Sequence, residues 1–287
     1  MHTPDDENQG RDTLRYLRLM LLVIPLLLLV AVALYTWWTG RIGDSISSYY
    51  LGPARNLFVA MMVSTGVLLV IYKGPPLEDQ ALNLAGFYTM FVAFVPAGLG
   101  QTLSTLDPMA ERQLIRSIQV SVVAVLVVAV AFAWLEFKTR SWSPSSLLRR
   151  TGSRWLAAAS TLLVAGFLML LLWRTLEGKD FAGVHLSAAL LLLISMGIAI
   201  ASHLGSGSLG DTDTSGGRAT HYAGLLILMA LGVVAWGVLA ALGVSQSVFF
   251  IEWYEIALFL YFWYLEARRT WNPGPAPGTA PGRHTSA

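Results

Sequence analysis

The sequence predicts an all-α protein, a polytopic transmembrane bundle of about eight spans with both termini on the cytoplasmic side. Three observations predict it. Of 287 residues 55% are hydrophobic and only 13% charged, against about 25% charged in soluble domains. The charges are clustered, and the gaps between clusters are apolar runs long enough to cross a bilayer. Of the 19 Lys and Arg, 13 fall on one set of alternating connections and tails and 6 on the other, which by the positive-inside rule places the richer set in the cytoplasm.

Residues 1–14 (MHTPDDENQGRDTL) are polar and are expected to be a disordered cytoplasmic N-terminus. Arg11, Arg15 and Arg18 then precede an apolar run over 19–38, which is too long for a cleaved leader and reads as a retained first span. Further spans are expected at 54–72, 82–100, 117–136, 155–173, 185–203, 222–243 and 247–265. The third is the weakest, because it contains Asn83, Gly86, Pro96 and Gly98. Prolines and glycines are tolerated in spans where neighbouring helices satisfy the freed backbone groups. Residues 15–271 form the helical domain. The Gly/Ser-rich stretch 205–220 reads as a cytoplasmic loop, and the Pro/Gly-rich tail 272–287 as disordered. Trp37, Trp38, Trp134, Trp142, Trp155, Trp173 and Trp271 fall near span ends, as an interfacial belt requires; Tyr49 and Tyr50 are expected to anchor at the same interface.

Two carboxylates break the last apolar run. Glu252 and Glu255 are three residues apart, on a face that continues through Phe259, Phe262 and Glu266. At about 1.5 Å per residue, Glu255 lies about 10–15 Å below the outer surface. Ionisable groups at that depth face protein or water and mark a functional site by default. The loop 40–56 (GRIGDSISSYYLGPARN) offers Asp44 and Arg55 on the same side, Arg55 being the natural counter-ion for a buried glutamate. His185, at the outer start of the sixth span, completes the expected ligand-binding set of Glu255, Glu252, Arg55, Asp44 and His185.

On the inner side His203 and His221, with Asp211 or Asp213, are the one N/O combination that could hold a metal. HExxH and other tight ligand spacings are absent, and no metal is expected there. With no cysteine in the chain, disulfides, thiolate nucleophiles and iron–sulfur clusters are excluded. A nucleophile elbow, a Walker loop and a dinucleotide fingerprint are also missing, and no lysine lies within a span. The net charge of +2 gives no footprint for nucleic acid. The expected partners are the lipid bilayer, a lipid or small cation as ligand, and a membrane subunit.

The run DSISSYYLGPARNLFVAMMVSTGVLLVIYKG, followed by NLAGFYTMFVAFVP, resembles a family of bacterial multi-spanning membrane proteins with a SISxYY-type outer loop. Residues 43–97 carry the resemblance, with IEWYEIA of the last span a weaker echo. It implies a multi-pass protein of the bacterial inner membrane and no particular activity. Asp44 with Ser45, Ser47 or Ser48 also compares loosely with the metal-dependent membrane hydrolases of the CREST superfamily, whose paired late histidines this chain lacks.

The expected function is therefore an acidic pocket near the outer leaflet, binding or moving a small cationic or amphiphilic ligand or protons. The alternatives are an intramembrane lipid hydrolase using Glu255 and His185, and a structural subunit of a membrane complex.

Overall fold

The computed structural model describes residues 4–43, 45–51, 54–139, 151–204 and 218–271. They form a helical bundle. The crossing helices are α1 (Pro4–Thr39), α2 (Arg55–Ile71), α3 (Pro76–Phe94), α5 (Pro108–Lys138), α6 (Thr151–Glu177), α7 (Val184–Ala201), α8 (Arg218–Ala241) and α9 (Ser247–Trp271), with a short distal helix α4 (Leu99–Leu103) and a 3₁₀ segment, Ile46–Leu51. Seven stretches are long and apolar enough to cross a membrane, and α2, with 17 residues, is a shorter apolar helix. It still reaches about 25 Å. The expectation of about eight spans in a multi-pass protein agrees with this arrangement. The end of the bundle where α1 begins is termed proximal; α2, α5, α7 and α9 end there, and α3, α6 and α8 begin there.

Helix α1 starts at Pro4, so residues 4–14, expected as a disordered tail, are helical, while the apolar span within α1 begins at Asp12. An Asp12–Arg15 ion pair of 3.0 Å across one turn supports this extension. The expected loop and tail at 205–217 and 272–287 lie outside the described residues.

The third span is displaced from its expected place. It begins six residues earlier, at Pro76, where a proline at the first helical turn has its φ preset and acidic residues follow (Glu78, Asp79). It ends at Phe94 because Pro96 holds Val95 extended (φ −111°, ψ 101°). Gly98, with φ +67°, then starts α4. Asp107 caps α5, accepting from the N–H groups of Met109 (2.9 Å) and Ala110 (3.1 Å). Those N–H groups, that of Ala110 foremost, hold its carboxyl below the usual range.

Helix α3 is the centre of the bundle. In its span 61% of residues are buried, against 11% in those of α5, α6 and α8, which present most of their surface outward. It packs chiefly on α2 and α7. Against α2 the backbones meet at two glycines: a Cβ on Gly86 would lie 2.5 Å from the Gly66 carbonyl oxygen, and one on Gly66 would lie 3.0 Å from that of Gly86. Small residues at a crossing let membrane helices approach closely, which is the reason for a glycine that made this span hard to read.

Three apolar clusters fill the interior. One joins α3 to α4–α7 around Phe91, Phe167 and Phe181. A second joins α1, α2, α3, α7, α8 and α9 around Tyr72, Phe262 and Trp263. A distal third holds the 3₁₀ segment against α1, α2 and α9. Tyr49 belongs to the last: it is buried, shares a 2.7 Å hydrogen bond with Thr36 and meets Tyr35 edge-on. It is therefore a packing residue rather than the interfacial anchor expected. Trp37, Trp38, Trp134, Trp173 and Trp271 are exposed near helix ends, as expected.

Candidate functional site

Among the described distal polar residues, Glu252 and His185 each have a defined contact. Glu252 accepts the backbone N–H groups of Ile46 and Ser47 and so fastens the 3₁₀ segment to α9. Arg55 is exposed at the start of α2. Among the described residues Arg55 makes no ion pair with Glu252 or Glu255; Glu252 accepts the backbone donors just named, and neither oxygen of Glu255 has a hydrogen-bond partner. His185 places Nδ1 2.6 Å from the carbonyl oxygen of Val95, at the end of α3. Asp44 lies outside the described residues. Glu252 and His185 thus engage different parts of the fold.

Glu252 consequently has a structural reading. Glu252→Ala leaves two backbone donors without their acceptor, and buried unsatisfied groups cost about 1–3 kcal/mol. Faster amide exchange at Ile46 and Ser47 is the expected signature, measured by mass spectrometry on the detergent-solubilised protein. Unchanged exchange would show that the carboxylate does not hold the segment.

Glu255 is buried (8% exposed) near the middle of α9. Its carboxylate packs against α8 at Gly232, where an added Cβ would lie 2.7 Å from Glu255 Oε1. Neighbouring Tyr254 donates to the Leu228 carbonyl at 3.0 Å. A glycine at position 232 is what leaves room for the carboxylate.

The densest polar site lies at the proximal end, in residues the sequence did not bring together. Glu78 from the first turn of α3, His203 just beyond α7 and Glu266 near the end of α9 are all fully buried. One ligand-type atom from each lies within 4.8 Å of the others. The two nitrogens of His203 face different carboxylates: Nε2 is 3.3 Å from Glu78 Oε1, and Nδ1 is 3.7 Å from Glu266 Oε1. Both are ion-pair distances: the first contact lacks hydrogen-bond geometry, and the second is too long for a hydrogen bond. The ring is held by stacking on Tyr222 (centroids 4.7 Å apart, planes at 22°) and by the edge of Phe262.

The charges around the two glutamates are unequal. Glu266 Oε2 meets Arg18 at 3.3 Å and Arg269 at 2.9 Å, and Oε1 accepts from Tyr222 at 2.7 Å. Arg18 also donates to Tyr72 at 2.7 Å and to the Glu266 carbonyl at 3.4 Å. Glu78, by contrast, pairs with no arginine among the described residues, and neither of its oxygens has a hydrogen-bond partner. An isolated buried carboxylate is costly unless a positive charge or donor compensates it. Among the described residues the group placed to compensate Glu78 is His203, 3.3 Å away and positive only when protonated, so the pair offers a place for a proton or a metal ion.

The sequence sets His203 beside His221 and Asp211 or Asp213 only as a metal combination that is not expected to be used. The structure instead points it at Glu78 and Glu266, while the exposed His221 faces the hydroxyl of Tyr261 at 3.3 Å; Asp211 and Asp213 lie outside the described residues. Glu78 was missed because the third span was started too late. Its signal was the Pro75–Pro76 helix start, from which Glu78, Leu82, Ala85 and Thr89 fall on one buried face. Arg18, Tyr72 and Tyr222 left no comparable pattern.

No family model, curated protein or solved structure matches this chain.

Proposed function

We propose that this multi-pass membrane protein binds and moves a small cation through its bundle, and that the cation is a proton exchanged at Glu78, His203 and Glu266. The observation that carries the reading is the fully buried His203, each ring nitrogen of which faces a different carboxylate. An imidazole so placed can accept a proton on one side and release it on the other, the role to which histidine is suited. Glu255 is the second station. It lies on the same face of α9 as Glu266 through the positions 255, 259, 262 and 266, about 16 Å away along the axis, with Phe262 and Trp263 buried between them.

In this reading the protein sits in a cell membrane with both termini cytoplasmic, which puts the cluster at the inner face and Glu255 toward the outside. Membership of the SISxYY-type bacterial family belongs to the same reading. A lipid-hydrolase role gains no support from His185, whose ring is committed to Val95.

A divalent metal is the second reading, favoured by one observation. The donor set of Glu78, His203 and Glu266 is compact, and nitrogen and carboxylate oxygen are the ligands zinc takes. Arg18 and Arg269 on Glu266 weigh against it, since they already supply two positive charges.

Proteoliposomes loaded with a pH-sensitive dye test the proposal under an imposed pH gradient, alongside elemental analysis of the purified protein. Proton flux in the wild type, abolished in Glu255→Gln, supports the proton reading. A stoichiometric metal lost in Glu78→Gln, without proton flux, selects the metal. Neither flux nor metal overturns both.

A further inference from the structure

On the side of the bundle away from the cluster, α2, α3, α5 and α6 enclose a cavity of about 750 Å³. It shares no residue with the proposed cation stations, and the inference drawn from it goes beyond that reading. Its lining runs along α3 from Gln80 to Phe94, about 21 Å of helix, so it is long as well as large. The lining is graded. Gln80, Asn83, Glu136, Ser160 and Thr161 come from the proximal parts of α3, α5 and α6, whereas the distal part is apolar, with Val63, Met90 and Ala124.

Two features of the polar end say what suits it. Asn83 Oδ1 is buried and has no hydrogen-bond partner among the described residues; a buried acceptor of this kind requires a donor. Glu136 lines the same end, and its carboxylate takes the Lys73 ammonium at 2.9 Å, which also lies 3.3 Å from Asp79. Glu136 and Asp79 therefore share Lys73 at the mouth, and these three groups together carry one net negative charge.

We propose that this slot binds a long-chain amphiphile with an ammonium head, drawn from the surrounding bilayer. The chain lies along α3 toward Met90, and the head donates to Asn83 and Glu136. An anionic head would meet the surplus acid and leave Asn83 without a donor. Ordinary annular lipid, by contrast, would show no preference for head charge and no dependence on the slot.

The test uses full-length protein in detergent, with hexadecylamine and hexadecyl sulfate as probes and native mass spectrometry as readout. The wild type is expected to retain one hexadecylamine, and to prefer it over hexadecyl sulfate by about tenfold, the worth of a charge-assisted hydrogen bond. Ala124→Phe, at the apolar end, is expected to abolish retention by filling the space the chain needs. Asn83→Leu, at the other end, is expected to reduce the preference for the amine while the slot remains open. Equal retention of both probes by the wild type overturns the proposal. So does amine binding that survives Ala124→Phe. If Ala124→Phe does not fold, an undiminished preference for the amine in Asn83→Leu overturns it as well.

Discussion

Arg18→Ala is expected to lower the stability of the bundle by about 3 kcal/mol, the cost of breaking a buried ion pair. Arg18 is 5% exposed, and its guanidinium joins α1 to the end of α2 through Tyr72 and to α9 through the side chain and carbonyl of Glu266. Removing it leaves Glu266 buried with one arginine fewer, and Tyr72 without its donor. Arg269 stays on the same carboxylate oxygen at 2.9 Å, which keeps the loss at the lower end of the range for such pairs. The control is Arg15→Ala. Arg15 belongs to an ion pair whose side chains are 32% and 60% exposed, and such pairs are worth about 0–1 kcal/mol. Thermal unfolding of both variants in one detergent is the comparison. Equal losses would mean that the proximal cluster does not tie the helices together.

Gly86→Val is expected to be comparably damaging for a steric reason. A Cβ at position 86 would lie 2.5 Å from the Gly66 carbonyl oxygen and 2.7 Å from Val70 Cγ2. The first of these is backbone, so α2 itself would have to retreat from the central helix. Overpacking of this kind costs about 1–3 kcal/mol, and valine, with two further methyl groups, belongs at the upper end. Gly66→Ala meets its neighbours at 3.0 Å, one of them the movable end of Met90, and should cost less. Gly224→Ala meets nothing within 4 Å and should be neutral or slightly stabilising, since alanine is the better helix former. Melting temperatures in that order test the crossing; a tolerated Gly86→Val would show that α2 and α3 do not depend on it.

What could be read from the sequence followed how local each signal was. The spans were legible because a run of apolar side chains is contiguous, and bilayer thickness fixes its length. The burial of Glu255 was legible for the same reason, as was the face it shares with Glu266. The third span was misplaced because Gly86 and Asn83 argue against a helix only until their partners are known: Gly66 receives the glycine, and the cavity receives the asparagine. The proximal cluster was not legible, because it is made by pairing across helices. Arg18 and Glu266 are 248 residues apart, and neither their spacing nor the composition around them records the contact. The partners of Glu252 were not legible either. Its position looked like that of a site residue, but its bonds are to the backbone of a loop that no periodicity places.

Flux through His203→Gln in dye-loaded proteoliposomes shows whether Glu78, His203 and Glu266 exchange a proton. Glutamine preserves polarity and approximate size but cannot pass a proton from one side of the ring to the other. The expected result is loss of the wild-type proton flux in His203→Gln and in Glu78→Gln, with flux retained in Glu252→Gln, whose carboxylate only holds the 3₁₀ segment. Wild-type flux in a folded His203→Gln would mean that the cluster does not carry the proton.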